Sequence, residues 1–201
     1  MHELIKKILI KLRITKPISK IDSYIRNGNI IVGKNSNISM LTVTISNPKK
    51  NIPNVIIGDD CIINGSISIY NPDANITIGD RVFIGERTEL FCYKGIVIES
   101  DIMLSWGITV IDTNAHSLNW EERKNDVTDW IKGEHLKNWQ VVESKEVLIK
   151  SKSWIGFKSI ILKGVVIDNG TIVGSGSVVT KNTEAFTIVA GNPAKFIKHT
   201  N

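Results

Sequence analysis

Apolar residues recur every six positions from Ile149 to Val179: Ile149, Ile155, Ile161, Ile167, Val173 and Val179 follow one another without a slip. Four positions after each of the first five stands a small or β-branched residue, namely Ser153, Ser159, Val165, Thr171 or Ser177. An amphipathic helix needs an apolar period near 3.6 and a simple strand a period of 2. A period of six suits neither. It suits short strands with a corner at every sixth residue, each strand turning one large and one small side chain inward. Three such strands make one coil of about 18 residues in a triangular solenoid. An all-β chain is therefore expected.

The beat runs upstream with interruptions: Val32 and Ile38, then Ile57, Ile63 and Ile69, then Ile78, Ile84 and Leu90, then Ile98, Leu104 and Val110. The slips between 69 and 78 and between 90 and 98 read as extra residues at corners, where added chain costs little. Asn71-Pro72-Asp73 carries turn chemistry at the first slip. Nothing periodic spans residues 112–146, a long excursion of the kind that is usually functional. It holds Trp120, Trp130 and Trp139, three of the five tryptophans, which argues against a disordered segment.

Residues 19–198 are expected to form a single β-helix domain broken by that excursion, and residues 1–18 a separate amphipathic cap. Within the cap, Leu4, Ile5, Ile8, Leu9 and Leu12 share one helical face, with Lys6, Lys7, Lys11 and Arg13 elsewhere. Such a helix either covers the open end of the solenoid or lies on an anionic membrane surface as a peripheral contact. No apolar run approaches a membrane span, and no cleavage site of a secretory signal follows the helix, so a cytoplasmic location is expected. The net charge of +5 is mild and scattered, which excludes a nucleic-acid partner as the leading reading. Cys61 and Cys92 read as free thiols of the core.

Several segments then carry a resemblance: Ser153-Trp154-Ile155-Gly156, Ile161-Leu162-Lys163-Gly164-Val165, the run from Gly174 to Lys181, and Ala190-Gly191-Asn192-Pro193-Ala194-Lys195. Together with the hexad, over roughly residues 55–198, they resemble the hexapeptide-repeat acyltransferases, and among these the sugar O-acetyltransferases of the galactoside, maltose and polysaccharide type. The resemblance implies a left-handed parallel β-helix, a homotrimer and acetyl-CoA as donor, with no metal. The hand comes from the resemblance alone.

Four histidines are present. His2 and His199 are near the termini, and His135 lies late in the excursion. His116 stands where the coils give way to the excursion and is similar in placement to the family's catalytic histidine. An imidazole can take the proton of an attacking hydroxyl and return it to the departing thiolate. Asp112, Asn114 or a backbone carbonyl could orient the ring, and the sequence does not choose. The resemblance implies that a backbone amide in the coil after the loop, at Gly156 or its neighbours, stabilises the tetrahedral intermediate. It also implies a coenzyme site along Trp154, Gly156, Gly174, Gly176, Lys181, Lys195 and Lys198. Trp120, Trp130 and Trp139 are candidates for stacking on a sugar, with Glu121, Glu122, Arg123, Asp126 and Asp129 available to its hydroxyls.

The expected function is transfer of acetyl from acetyl-CoA to a hydroxyl of a sugar, such as a precursor of a surface polysaccharide. The alternatives are an amino-sugar N-acetyltransferase and a non-enzymatic solenoid that acts as scaffold or binder. A zinc enzyme on this scaffold needs three histidine ligands, and only His116 and His135 are placed for such a role.

Overall fold

The computed structural model describes residues 19–133 and 136–200. The expected cap over residues 1–18 and His135 therefore lie outside the described residues. The described chain opens with α1 (Lys20–Arg26), whose N-cap Ser19 accepts the Asp22 N–H. Tyr24 of this helix is buried, and its hydroxyl accepts the Ile45 N–H at 3.2 Å. Among the described residues no earlier strand receives that amide, and the tyrosine hydroxyl satisfies it.

The first coil holds β1 (Ile30–Val32) and β2 (Thr42–Ile45), and the second β3 (Val55–Ile57), β4 (Ile62–Ile63) and β5 (Ser66–Ile69). The third holds β6 (Asn75–Ile78), β7 (Phe83–Ile84) and β8 (Glu89–Cys92), and the fourth β9 (Gly95–Ile98), β10 (Met103–Leu104) and β11 (Thr109–Ile111). After the excursion come β12 (Val147–Ile149), β13 (Trp154–Ile155) and β14 (Ile160–Ile161), then β15 (Val166–Ile167), β16 (Ile172–Val173) and β17 (Val178–Val179). A terminal hairpin, β18 (Thr187–Gly191) and β19 (Ala194–His199), ends the chain.

Every third strand stacks on its counterpart in the next coil, which gives three sheets: β1-β3-β6-β9-β12-β15, β4-β7-β10-β13-β16-β18-β19, and β2-β5-β8-β11-β14-β17. All pairings are parallel except the closing β18–β19 pair. The triangular solenoid expected from the hexad is the architecture found, and it is a parallel β-helix as the resemblance implies. Ile149, Ile155, Ile161, Ile167, Val173 and Val179 are all buried along its axis.

The small inward residues do more than leave room. At four of these five positions a short hydroxyl reaches backbone carbonyls of the corners. Ser153 Oγ donates to the Lys150 and Asp168 carbonyls, Ser159 and Ser177 to that of Gly174, and Thr171 to that of Glu184. A larger apolar side chain there would fill the corner and orphan those acceptors. Cys61 holds the equivalent place upstream, where its thiol faces the Gly79 carbonyl, and both cysteines are free and buried.

The excursion leaves and rejoins the solenoid at one corner. β11 ends at Ile111 and β12 begins at Val147. Between them, Thr113 bridges Ser144, Asn114 N–H donates to the Glu143 carbonyl, and Lys145 N–H to that of Asp112. The segment is not bare loop: it carries α2 (Trp120–Arg123), α3 (Asp126–Lys132) and a 3₁₀ turn at Trp139–Val141. Helices of four and seven residues are too short to impose a readable period. Asn119 caps the start of α2 and Asn138 that of the 3₁₀ turn, accepting the Glu121 and Gln140 N–H groups, whereas Asn125 before α3 makes no side-chain cap bond.

Candidate active site

The mouth of the excursion is pinned by a buried carboxylate. Asp112 is fully buried and accepts N–H groups from Tyr93 at 2.8 Å, Lys94 at 2.7 Å and Gly95 at 2.7 Å. Those amides belong to the corner that carries the second slip of the beat. Burial pushes the Asp112 carboxyl above the ordinary carboxylate value, and the three amide donors only partly oppose it. Asp112 was one candidate for orienting His116. In the structure its oxygens accept from the previous coil and make no contact with the ring. Asn114 turns instead toward Glu143, with its amide nitrogen 3.5 Å from Oε2.

The ring's carboxylate is Asp126, the first residue of α3. Its Oδ2 lies 2.5 Å from His116 Nδ1, with the histidine side chain 45% and the aspartate side chain 14% exposed. A carboxylate can only accept, so this contact favours the tautomer with the proton on Nδ1, in which Nε2 carries the lone pair that a base needs. Burial raises the Asp126 carboxyl, but the His116 hydrogen bond and the Lys137 charge prevail and hold it below its ordinary value.

Lys137 is the third member. Its side chain is 1% exposed, and its ammonium lies 3.4 Å from Asp126 Oδ2 and 3.3 Å from His116 Nδ1 and contacts the Ala115 carbonyl. The ammonium also stands over the rings of Trp130 and Trp139, at 5.0 and 4.6 Å from their centroids. Trp130 meets the imidazole edge-on at 6.0 Å. Asp126 and Lys137 lie ten and 21 residues from His116, so no spacing in the sequence links them. Only the fold of the excursion does.

The three candidate tryptophans divide. Trp139 stacks on Tyr93 at 4.6 Å and on Tyr70 at 5.2 Å, beside a cavity of about 180 Å³ that Asn47, Asn71 and Pro72 also line. Trp130 borders the His116–Asp126 pair. Trp120 is 60% exposed and carries only the Arg123 guanidinium, at 5.5 Å. Of the polar residues expected to meet a sugar, Glu122 is bonded to Ser117, Arg123 donates to the carbonyls of Ser117 and Leu118, and Glu121 pairs with Lys124. These three build the loop.

Among the coil residues, Trp154 is half exposed on β13 and its Nε1–H reaches Ser105 Oγ at 3.3 Å. The amide of Gly156 donates to the Val173 carbonyl at 2.8 Å, so it is not available as a donor to an oxyanion. A Cβ at Gly156 would stand 2.6 Å from Ser175 N, and one at Gly174 2.9 Å from Ala190 Cβ. At both positions the absence of a Cβ admits the next coil. Gly176 differs: a Cβ there meets nothing within 4 Å, and its φ of +70° favours glycine. Lys181 lines a cavity of about 420 Å³ under the terminal hairpin, with Phe196 and His199, while Lys195 and Lys198 are exposed on β19. Among the described residues no group of three or more histidines, cysteines and acidic residues is placed to hold a metal. None of the described helices is long and apolar enough to cross a membrane.

No family model matches the chain. It is 27% identical over 126 residues to a putative lipopolysaccharide biosynthesis O-acetyl transferase, WbbJ, of Escherichia coli, covering 63% of this chain and 61% of the relative. It is 31% identical over 121 residues to a probable macrolide acetyltransferase of Lysinibacillus sphaericus, covering 60% and 61%. The chain thus spans about three fifths of the length of these curated relatives. In three dimensions it superposes with a TM-score of 0.64 and 22% identity on AntD, an N-acyltransferase from Bacillus cereus in complex with dTDP and 3-hydroxybutyryl-CoA, over 90% of this chain and 88% of that one. At that identity the likeness speaks for the fold alone.

Proposed function

We propose, from the premise that this chain shares sequence and fold with the hexapeptide-repeat acyltransferases, that it transfers acetyl from acetyl-CoA to a hydroxyl of a sugar. The observation that carries the reading is the His116–Asp126 pair at the mouth of the excursion. It supplies a half-exposed imidazole whose Nδ1 is held by a carboxylate, as base catalysis on an alcohol requires. The acceptor oxygen attacks the thioester carbonyl carbon while its proton passes to His116 Nε2. The carbon–sulfur bond then breaks, and the thiolate takes that proton, leaving an ester and free coenzyme A. The donor lies along the coils after the excursion, past Trp154 and Gly176 toward Lys181, Lys195 and Lys198. The acceptor lies on the excursion side, at Trp130 and Trp139.

Replacing Trp130 or Trp139 by Ala is expected to weaken acceptor use by about 1 kcal/mol in kcat/KM, with acetyl-CoA binding by calorimetry unchanged. Loss of donor affinity with acceptor use intact would invert the assignment. The relative named for lipopolysaccharide biosynthesis supports an oxygen acceptor. The second reading, an amine acceptor, is favoured by the fold shared with AntD. Mass spectrometry of paired hydroxyl and amino sugars after incubation with acetyl-CoA decides between them: an acetylated hydroxyl supports the first, and acetylation of amines alone refutes it.

The assembly we propose is a homotrimer. On the outer face of the second sheet, Ile62, Phe83, Met103 and Trp154 follow one another in register, each between 37 and 57% exposed. A contiguous apolar stripe of this kind suits burial against further copies. Sedimentation is expected to give three times the 22.4 kDa chain mass, and Met103→Glu to dissociate it. A wild-type monomer at micromolar concentration would end this part of the reading.

A further inference from the structure

A carboxylate within hydrogen-bonding distance of an imidazole favours the charged ring. An imidazolium formed too readily no longer accepts a proton, and once formed it gives the proton up reluctantly. Among the described residues, the charged groups that face His116 are Asp126, from α3, and Lys137, from the segment after it. The nearby Glu122 is engaged by Ser117, and Arg123 by backbone carbonyls. Lys137 therefore supplies the positive charge in the ring's immediate surroundings, and it does so from a buried position. Its ammonium is enclosed by the Asp126 carboxylate, the Ala115 carbonyl and two indole faces. Such an enclosure satisfies a buried cation and keeps away the water that would screen it.

We propose that Lys137 is a positioning residue that balances the Asp126 charge at His116, keeping the ring neutral with its proton on Nδ1 and making the protonated ring a ready donor to the departing thiolate. The geometry matches each half of this role. Nδ1–H meets the acceptor at 2.5 Å, whereas the ammonium, a donor only, stands farther off at 3.3 Å. It thus adds charge without competing for the proton. The same lysine clasps the carbonyl of Ala115, the residue before the histidine, and so holds the backbone from which the ring projects. The inference rests on the reading of His116 as the base.

The test is nitrogen NMR of the histidine rings in the full chain without substrates, with the His116 signals assigned by their loss in His116→Ala. In the wild type at neutral pH the Nδ1–H tautomer is expected. In Lys137→Met the pH at which this ring protonates is expected to rise by about one unit or more, while Lys137→Arg stays near wild type. The acidic limb of the rate profile is expected to move with it, at little change in KM for acetyl-CoA. An unchanged protonation midpoint in a folded Lys137→Met chain overturns the proposal. So does an Nε2–H tautomer in the wild type, a measurement that needs no variant. A chain that passes these ring measurements but shows no transferase activity would instead count against the proposed function.

Discussion

His116→Ala is expected to lower turnover by roughly 10²–10⁴-fold, the usual worth of a positioned general base, while acetyl-CoA binds as before. The split follows from where the ring stands. His116 is at the excursion's mouth and holds no part of the coils, whose buried side chains and ladder bonds are complete without it. Removing it takes away a group that acts on the proton in flight and leaves the donor's groove as it was. The loss should therefore appear in kcat and in kcat/KM alike. Thiol release from acetyl-CoA with a responsive acceptor measures it, alongside calorimetry with the donor alone. Near-normal turnover would mean that another group is the base, and His135, on the same excursion, would be examined next.

Legibility in the sequence follows how local the encoding is. The coils could be read directly because every strand repeats the same demand, one large inward residue at a fixed distance from the last. Ile149 to Val179 thus announce six consecutive inward positions, each of which is buried. The first slip was readable because Asn71-Pro72-Asp73 forms its turn from its own residues: Asn71 Oδ1 accepts the Asp73 N–H. His116 was singled out by resemblance, and what surrounds it was not. Asp126 reads as a polar residue for a sugar hydroxyl, and nothing singles out Lys137, because their meeting depends on tertiary folding of an aperiodic segment. The glycines are ambiguous for a physical reason. Glycine reports a close approach, but not what approaches, and at Gly156 and Gly174 it is the next coil.

Asp112→Ala is expected to destabilise the folded chain by about 3–5 kcal/mol, because it takes the shared acceptor from three N–H groups at one corner, that of Gly95 buried. Tyr93, Lys94 and Gly95 belong to the extra chain at that corner, which has no strand pairing of its own at the first two positions, and the carboxylate closes it. The Gly95 amide and the Asp112 side chain are buried, so at least that donor has no ready replacement for the carboxylate. Asp112→Asn is expected to lose less, because the remaining amide oxygen still accepts part of the set, though its nitrogen opposes a donor. Urea unfolding with an unchanged slope would measure both. The same experiment separates the two roles open to this residue. If Asp112 serves the corner, stability falls and the residual folded enzyme at low temperature keeps its turnover per active site. If Asp112→Ala unfolds at the wild-type midpoint and yet loses turnover by orders of magnitude, then Asp112 acts on the histidine in a state not captured by this geometry, and Asp126 is not its sole carboxylate.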